Sequence, residues 1–250
     1  MVSGAIRLRR LCLVLWLAGM AAVLSLLAAP LELLQPAGLT FAWWQFRLLA
    51  LVNPLLLVSA AVALGCWASR RVGLAAPVVA AWLDGEPAWP ALRRQLPATA
   101  CVGVIVALVL TAYAVLTAPL FAGSAAAQFA MPIVTKLLYG GVVEELMLRW
   151  GLMSLLVLVA WKLARTPTPR PTAYWTAIVL AALVFAAGHL PALYALVAQP
   201  RPALIAAVVV GNAVPGVLFG WLFWRRGLEA AVLAHALAHL LFTLGGALLD

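Results

Sequence analysis

Long apolar runs, separated by short connectors that carry arginine, proline and glycine, repeat from one end of the sequence to the other. Each run has about 20 residues, the length of a helix that crosses a bilayer. They predict spans over residues 11–29, 46–68, 99–121, 132–160, 174–194, 203–224 and 228–248. A helix satisfies its backbone hydrogen bonds internally, as lipid demands, whereas an open sheet edge does not. The strict polar–apolar alternation of an outer-membrane barrel is missing. The expected fold is therefore all-α: a polytopic transmembrane helical bundle of about seven spans, or eight with one re-entrant helix, forming a single domain over 1–250.

Two connectors stand out. Residues 69–98 hold two Arg-Arg pairs and an Asp-Gly-Glu stretch. Within them VGLAAPVVAAWL (72–83) predicts an amphipathic helix on the membrane surface. Residues 163–172 form a proline-rich turn. The N-terminal run follows Arg7, Arg9 and Arg10, the pattern of a signal peptide. At about 19 residues it is long for one, and a retained first span is expected.

Composition supports the membrane assignment, with 67% hydrophobic and 9% charged residues among 250. The net charge of +9 invites a nucleic-acid partner, but the positions of the cations argue otherwise. With the N-terminus inside, most arginines fall in alternate connectors, as the positive-inside rule requires. Arg47, Lys136 and Arg201 fall at outer ends, and Arg149 falls within the membrane. The expected partner is membrane lipid, not nucleic acid. Trp43, Trp44, Trp221 and Trp224 read as interface anchors. Cys12, Cys66 and Cys101 lack any CxxC spacing, so each reads as a small packing residue rather than part of a disulfide or metal site.

The remaining ionisable residues are misplaced for lipid. Glu144, Glu145 and Arg149 lie in the fourth run, His189 in the fifth, and His235 and His239 in the seventh. A charge at the bilayer centre costs about 2.5–3.5 kcal/mol on insertion scales, and such residues face the bundle interior and mark function. By contrast Glu32, Asp84, Glu86 and Asp250 fall in loops or at the terminus, and Glu229 at a helix start. Glu145 and Arg149, four apart, share a helix face and can pair. Glu144 points about 100° away and needs another partner. A lone buried carboxylate is the environment of a general base. At ~1.5 Å per residue, Glu144, His189 and His239 share one layer and His235 lies shallower. Pro191 is expected to end or kink the fifth helix beside His189.

Each of these residues has a plainer reading. Glu145–Arg149 works as a structural ion pair. A single histidine or Glu144 works as an interhelical hydrogen-bond partner. His235 and His239 at HxxxH spacing suit a metal such as zinc, although HExxH is absent. Gly216 and Gly220 read as a packing face, Gly140 and Gly141 as a close approach or a kink, and Asn212 as a spare polar group.

Taken together the residues resemble the CPBP family, the CAAX-protease and bacteriocin-processing group also called ABI. Its pattern is EExxxR, then FxxxH, then HxxxN or HxxxD on separate membrane helices. Here these are Glu144-Glu145 with Arg149, Phe185 with His189, and His235 followed by His239. The glycine-spaced helix and basic turn before His235 also look like the family's. The resemblance covers 131–245 as a catalytic core. It departs at His239, which stands where the family has Asn or Asp.

The resemblance implies an intramembrane endopeptidase of glutamic type. Glu144 with His189 would activate a water, and His235 with His239 would stabilise the oxyanion. Glu145 and Arg149 would hold the site. No cofactor is implied, while a zinc ion on Glu144, His189, His235 and His239 is the reading His239 leaves open. The implied substrate is a membrane-associated or lipidated protein or a C-terminal tail peptide. The eukaryotic branch removes three residues after a prenylated cysteine, and bacterial relatives are linked to bacteriocin processing or immunity. The expected location is a bacterial inner membrane. The competing readings are a proton-coupled transporter using the same groups as a relay and a non-catalytic scaffold or immunity protein.

Overall fold

The computed structural model describes residues 4–35 and 41–246. Asp250 and the end of the last predicted span lie outside them. No strand occurs among the described residues. Helix α1 is Gly4–Val23 and α2 is Trp43–Ala68. The short α3, Pro77–Leu83, precedes the long α4, Ala88–Phe121. Next comes α5, a continuous helical run over residues 133–164. It is followed by α6 (Pro171–Ala187), α7 (Leu190–Leu196), α8 (Pro202–Arg226) and α9 (Leu228–Gly246).

Among the described residues six helical segments are long and apolar enough to cross a membrane: Ala5–Ala28, Trp43–Arg71, Ala88–Phe121, Pro171–Leu196, Pro202–Arg226 and Leu228–Gly246. The polytopic bundle is as expected, but the count of seven is not reproduced. The difference is the run at 132–160. Helix α5 occupies it, yet carries Lys136, Glu144, Glu145 and Arg149 and winds as π turns over Lys136–Glu144 and Leu146–Met153. It packs against α1, α2, α6, α8 and α9. Its Val143, Leu146, Trp150 and Met153 are buried, as are Glu145 and Arg149. The helix richest in charge is thus the one most shielded by its neighbours, as the cost of charge in lipid requires.

Small residues let the helices close, since lipid offers little hydrophobic drive for helix association. The expected packing face on α8 is real. A Cβ on Gly216 would lie 3.0 Å from the Ala182 Cβ of α6, and one on Gly220 would lie 3.2 Å from Ile178. Gly151 of α5 meets the Ala61 Cα of α2, 2.8 Å from where its own Cβ would sit.

Two readings of the sequence need correction. Cys12 and Cys66 are not separate packing residues; they form a disulfide that ties α1 to α2. Their 54-residue separation gives no local signal, and only the pairing of the two helices brings them together. Connector 69–98 is also less of a loop than expected, because α4 starts at Ala88. Of the surface helix expected over 72–83 only Pro77–Leu83 is helical, as α3 with no buried residue, while Val72, Leu74 and Ala76 before it are buried. The Glu229 carboxylate of α9 caps that helix, accepting from the backbone N–H of Val78 and Val79 at 2.9 Å each.

Candidate active site

The site forms where α5 and α9 run antiparallel in close contact. Gly140 makes the approach possible: a Cβ there would fall 2.8 Å from His239 Nε2. Gly141 lies against Ala236 in the same way. Four-residue steps then match on the two helices. Lys136 faces Thr243 through an Nζ–Oγ1 hydrogen bond of 3.1 Å. Gly140 faces His239, and Glu144 faces His235, with Oε2 and Nε2 3.8 Å apart.

Glu145 and Arg149 pair as their spacing predicts, with Nε 3.2 Å from Oε2, and both side chains are almost fully buried. The Arg149 Nη2 also donates to the Gly216 carbonyl at 3.0 Å, and its guanidinium lies over the Phe185 and Phe219 rings. Glu145 does something the sequence did not indicate. Its Oε1 accepts from His235 Nδ1 at 2.8 Å. The two adjacent glutamates therefore meet one imidazole, Glu145 at Nδ1 and Glu144 on the Nε2 side.

His235 is fixed on its other sides too. Phe219 stacks on it at 4.5 Å. Its Nε2 lies 3.1 Å from the His239 Nε2, a contact in which one nitrogen donates and the other accepts. With Nδ1–H given to Glu145, a neutral His235 accepts at Nε2 and a doubly protonated one donates there. His235 thus lies level with Glu144, where the sequence placed it shallower, and His239 is one turn further along α9. The physical reason lies in α5: π turns close i→i+5 rings, so Glu144 advances less along the axis than an α-helical rise implies.

His189 follows the end of α6 and begins α7, with Pro191 in the first turn of that helix, as the proline suggested. The His189 Nδ1 donates to the Phe185 carbonyl at 2.9 Å, which in a neutral ring leaves Nε2 as the acceptor. Glu144, His189, His235 and His239 all line one cavity of about 870 Å³ whose walls are mostly apolar. The structure gives Glu144 a partner in His235; it shares the cavity with His189. Lys136, Tyr139, Asn53 and Asn212 line the same space. Lys136 and Tyr139 carried no motif, and only the matched steps of α5 and α9 single out Lys136. Asn212 reaches the cavity while its Nδ2 donates to the Val208 carbonyl within α8 at 2.8 Å.

Among the described residues no group of three or more His, Cys, Asp or Glu side chains is arranged to hold a metal ion. The Nδ1 bonds of His235 and His189 are of the kind that orients an imidazole whose Nε2 binds a ligand.

Residues 126–241 match the family model described as Rce1-like, type II CAAX prenyl endopeptidase Rce1-like. The part of the chain that builds the site is thus similar to the CAAX-protease family. The match includes all four cavity-lining acid and imidazole groups together with Glu145 and Arg149. At the level of the family, the activity is that of an endopeptidase held in a membrane. No curated protein and no solved structure matches the chain.

Proposed function

We propose that this protein is a glutamic-type intramembrane endopeptidase that hydrolyses a peptide bond of a membrane-associated or lipidated substrate. One observation carries the reading: Glu144 of α5, His189 at the start of α7, and His235 and His239 of α9 line a single apolar-walled cavity, with Glu144 3.8 Å from His235.

Glu144 takes a proton from a water positioned between its carboxylate and His189. The water oxygen bonds to the scissile carbonyl carbon. The carbonyl oxygen becomes an oxyanion, and the hydrogen shared by the His235 and His239 Nε2 atoms turns to it. The C–N bond then breaks, and the proton held by Glu144 goes to the departing amine. Glu145 holds His235 in one orientation, and Arg149 offsets the Glu145 charge. The apolar walls limit water and strengthen each of these interactions. No step runs through a metal ion, so the rate survives exhaustive dialysis against a chelator. The site lies in a bacterial inner membrane with the N-terminus cytoplasmic, which the arginine distribution supports.

The test is C-terminal peptide mapping of membrane proteins from cells making the wild type or Glu144→Gln. Termini that appear with the wild type and vanish with the variant are the expected result, with His189→Ala lowering them at least ~100-fold, the scale of lost acid–base catalysis. Identical termini from wild type and both variants overturn the reading.

A further inference from the structure

A second cavity, of about 240 Å³, lies at the end of the bundle where α1 begins and α2 ends. It shares no lining residue with the cavity of Glu144. Its walls come from α1, the turn after α2, α3 and α5, and Leu8, Leu11, Leu74 and Leu83 make them largely apolar. Two exposed arginines, Arg7 and Arg70, also line it. Arg7 is shared with Asp84, 2.5 Å away. Among the described residues Arg70 is in no ion pair. Its neighbour Arg71 is spent on Trp67, donating to the carbonyl and lying over the ring.

Two buried donors line the same space without acceptors. Ser69 and Trp150 are 0% and 1% exposed, and neither the Ser69 hydroxyl nor the Trp150 indole N–H has a partner in the chain. The Ser69 carbonyl, by contrast, accepts from the N–H groups of Val72 and Leu74. Buried donors of this kind call for an oxygen from outside the chain. The walls are also tied down in advance. The Cys12–Cys66 disulfide, next to Leu11 and three residues before Ser69, joins α1 to α2. The Leu228 N–H holds the Ala75 carbonyl at 3.0 Å. A preformed cavity loses little entropy when it is filled.

Cations and orphaned donors around apolar walls are the chemistry of a phosphate joined to hydrocarbon, and the planar fork of arginine suits phosphate. The position agrees. The arginine distribution favours this end of the bundle as the cytoplasmic one, where the leaflet carries anionic lipids and basic pockets between membrane helices take their headgroups. We propose that this cavity seats the phosphate of an anionic phospholipid, between Arg7 and Arg70 and above Ser69 and Trp150, with the acyl chains outside in the bilayer. The site is independent of the protease reading. Free phosphate is the other source of the same group, and the experiment separates the two.

Full-length wild type, Arg70→Gln, Ser69→Ala and Arg94→Gln are purified and stripped of lipid in detergent. Each is titrated with phosphatidylglycerol, phosphatidylcholine or inorganic phosphate, and bound mass is read by native mass spectrometry. Arg94 is exposed on α4 outside the cavity and reports general attraction to a charged surface. Wild type is expected to hold one phosphatidylglycerol at least ~10-fold more tightly than phosphatidylcholine. Arg70→Gln weakens that binding about 5-fold, the scale of one arginine at an anionic lipid. Ser69→Ala weakens it about 2–10-fold, the scale of a neutral hydrogen bond, and Arg94→Gln leaves it as it was. Equal losses in Arg70→Gln and Arg94→Gln overturn the site, as does a preference that Arg70→Gln and Ser69→Ala both keep. Inorganic phosphate bound as tightly as the lipid, and lost in Arg70→Gln, overturns the lipid as the ligand. A shared melting temperature in lipid-free detergent separates lost binding from lost folding. For a variant that melts lower, wild type cross-linked to photoactivatable phosphatidylglycerol decides: label on α1 or residues 69–83 supports the site, and label only elsewhere overturns it.

Discussion

Glu144 and Glu145 are adjacent and chemically identical, and only their surroundings divide their work. Glu145 is fully enclosed, with Arg149 on one oxygen and His235 on the other. Glu144 is 16% exposed and opens to the cavity. Their substitutions are therefore expected to act differently. Glu144→Gln removes the proposed base but no buried pair, so activity is expected to fall at least ~100-fold while the melting temperature in detergent stays near the wild-type value. Glu145→Ala strands the buried Arg149 charge and releases His235. Breaking a buried pair costs about 3–5 kcal/mol, so this variant loses stability and activity together. Equal melting temperatures for the two variants would contradict the division. The EExxxR spacing made the Glu145–Arg149 pair legible in the sequence. The Glu145–His235 bond was not legible, because its partners are 90 positions apart and no local periodicity links them.

At the scale of elements, the contact between α5 and α9 decides the site. Glycine at 140 lets the His239 ring reach the α5 backbone, and a Cβ there would have to displace an imidazole. Gly151, lower on the same helix, faces the Ala61 backbone of α2, whose carbonyl oxygen would lie 2.9 Å from an added Cβ. Gly140→Ala is expected to cut turnover at least ~10-fold with a small change in stability, since a side chain can move aside. Gly151→Ala has only the backbone and the fixed Cβ of Ala61 to push against and costs about 1–3 kcal/mol, the scale of overpacking. Comparing kcat with thermal unfolding for the two variants checks this, and a mainly stability-lowering Gly140→Ala would argue against it. The glycines at 140 and 141 showed that something approaches closely; the sequence did not say that it is the histidine helix. The π winding of α5 was equally silent, because the apolar period of the run reads as an ordinary helix.

Across the whole molecule, the first and last thirds are joined by few but specific links. Glu229 of α9 caps α3, and Gly227, at a φ of +110° that favours glycine, lets the α8–α9 turn lie against Pro77. Within the first third, the Cys12–Cys66 bond ties α1 to α2. Glu229→Ala removes two charge-assisted hydrogen bonds, each worth about 1.5–3 kcal/mol. The amides of Val78 and Val79 are then expected to exchange with deuterium at least ~10-fold faster, and unchanged exchange would show that α3 is held by other means.

The sequence by itself determined the helical membrane class, because lipid leaves a long apolar run almost no other structure. It also determined which residues are candidates to carry chemistry, because charges and imidazoles in such runs stand out against everything around them. Only the tertiary structure decided how they meet: both glutamates on His235, His189 across the cavity, Lys136 two steps from Glu144, and a charged fourth run packed among its neighbours. Those relations depend on the register and winding of helices far apart in the chain. A register is fixed by close packing at glycines and alanines, whose effect depends on the partner surface and is not written in either helix alone.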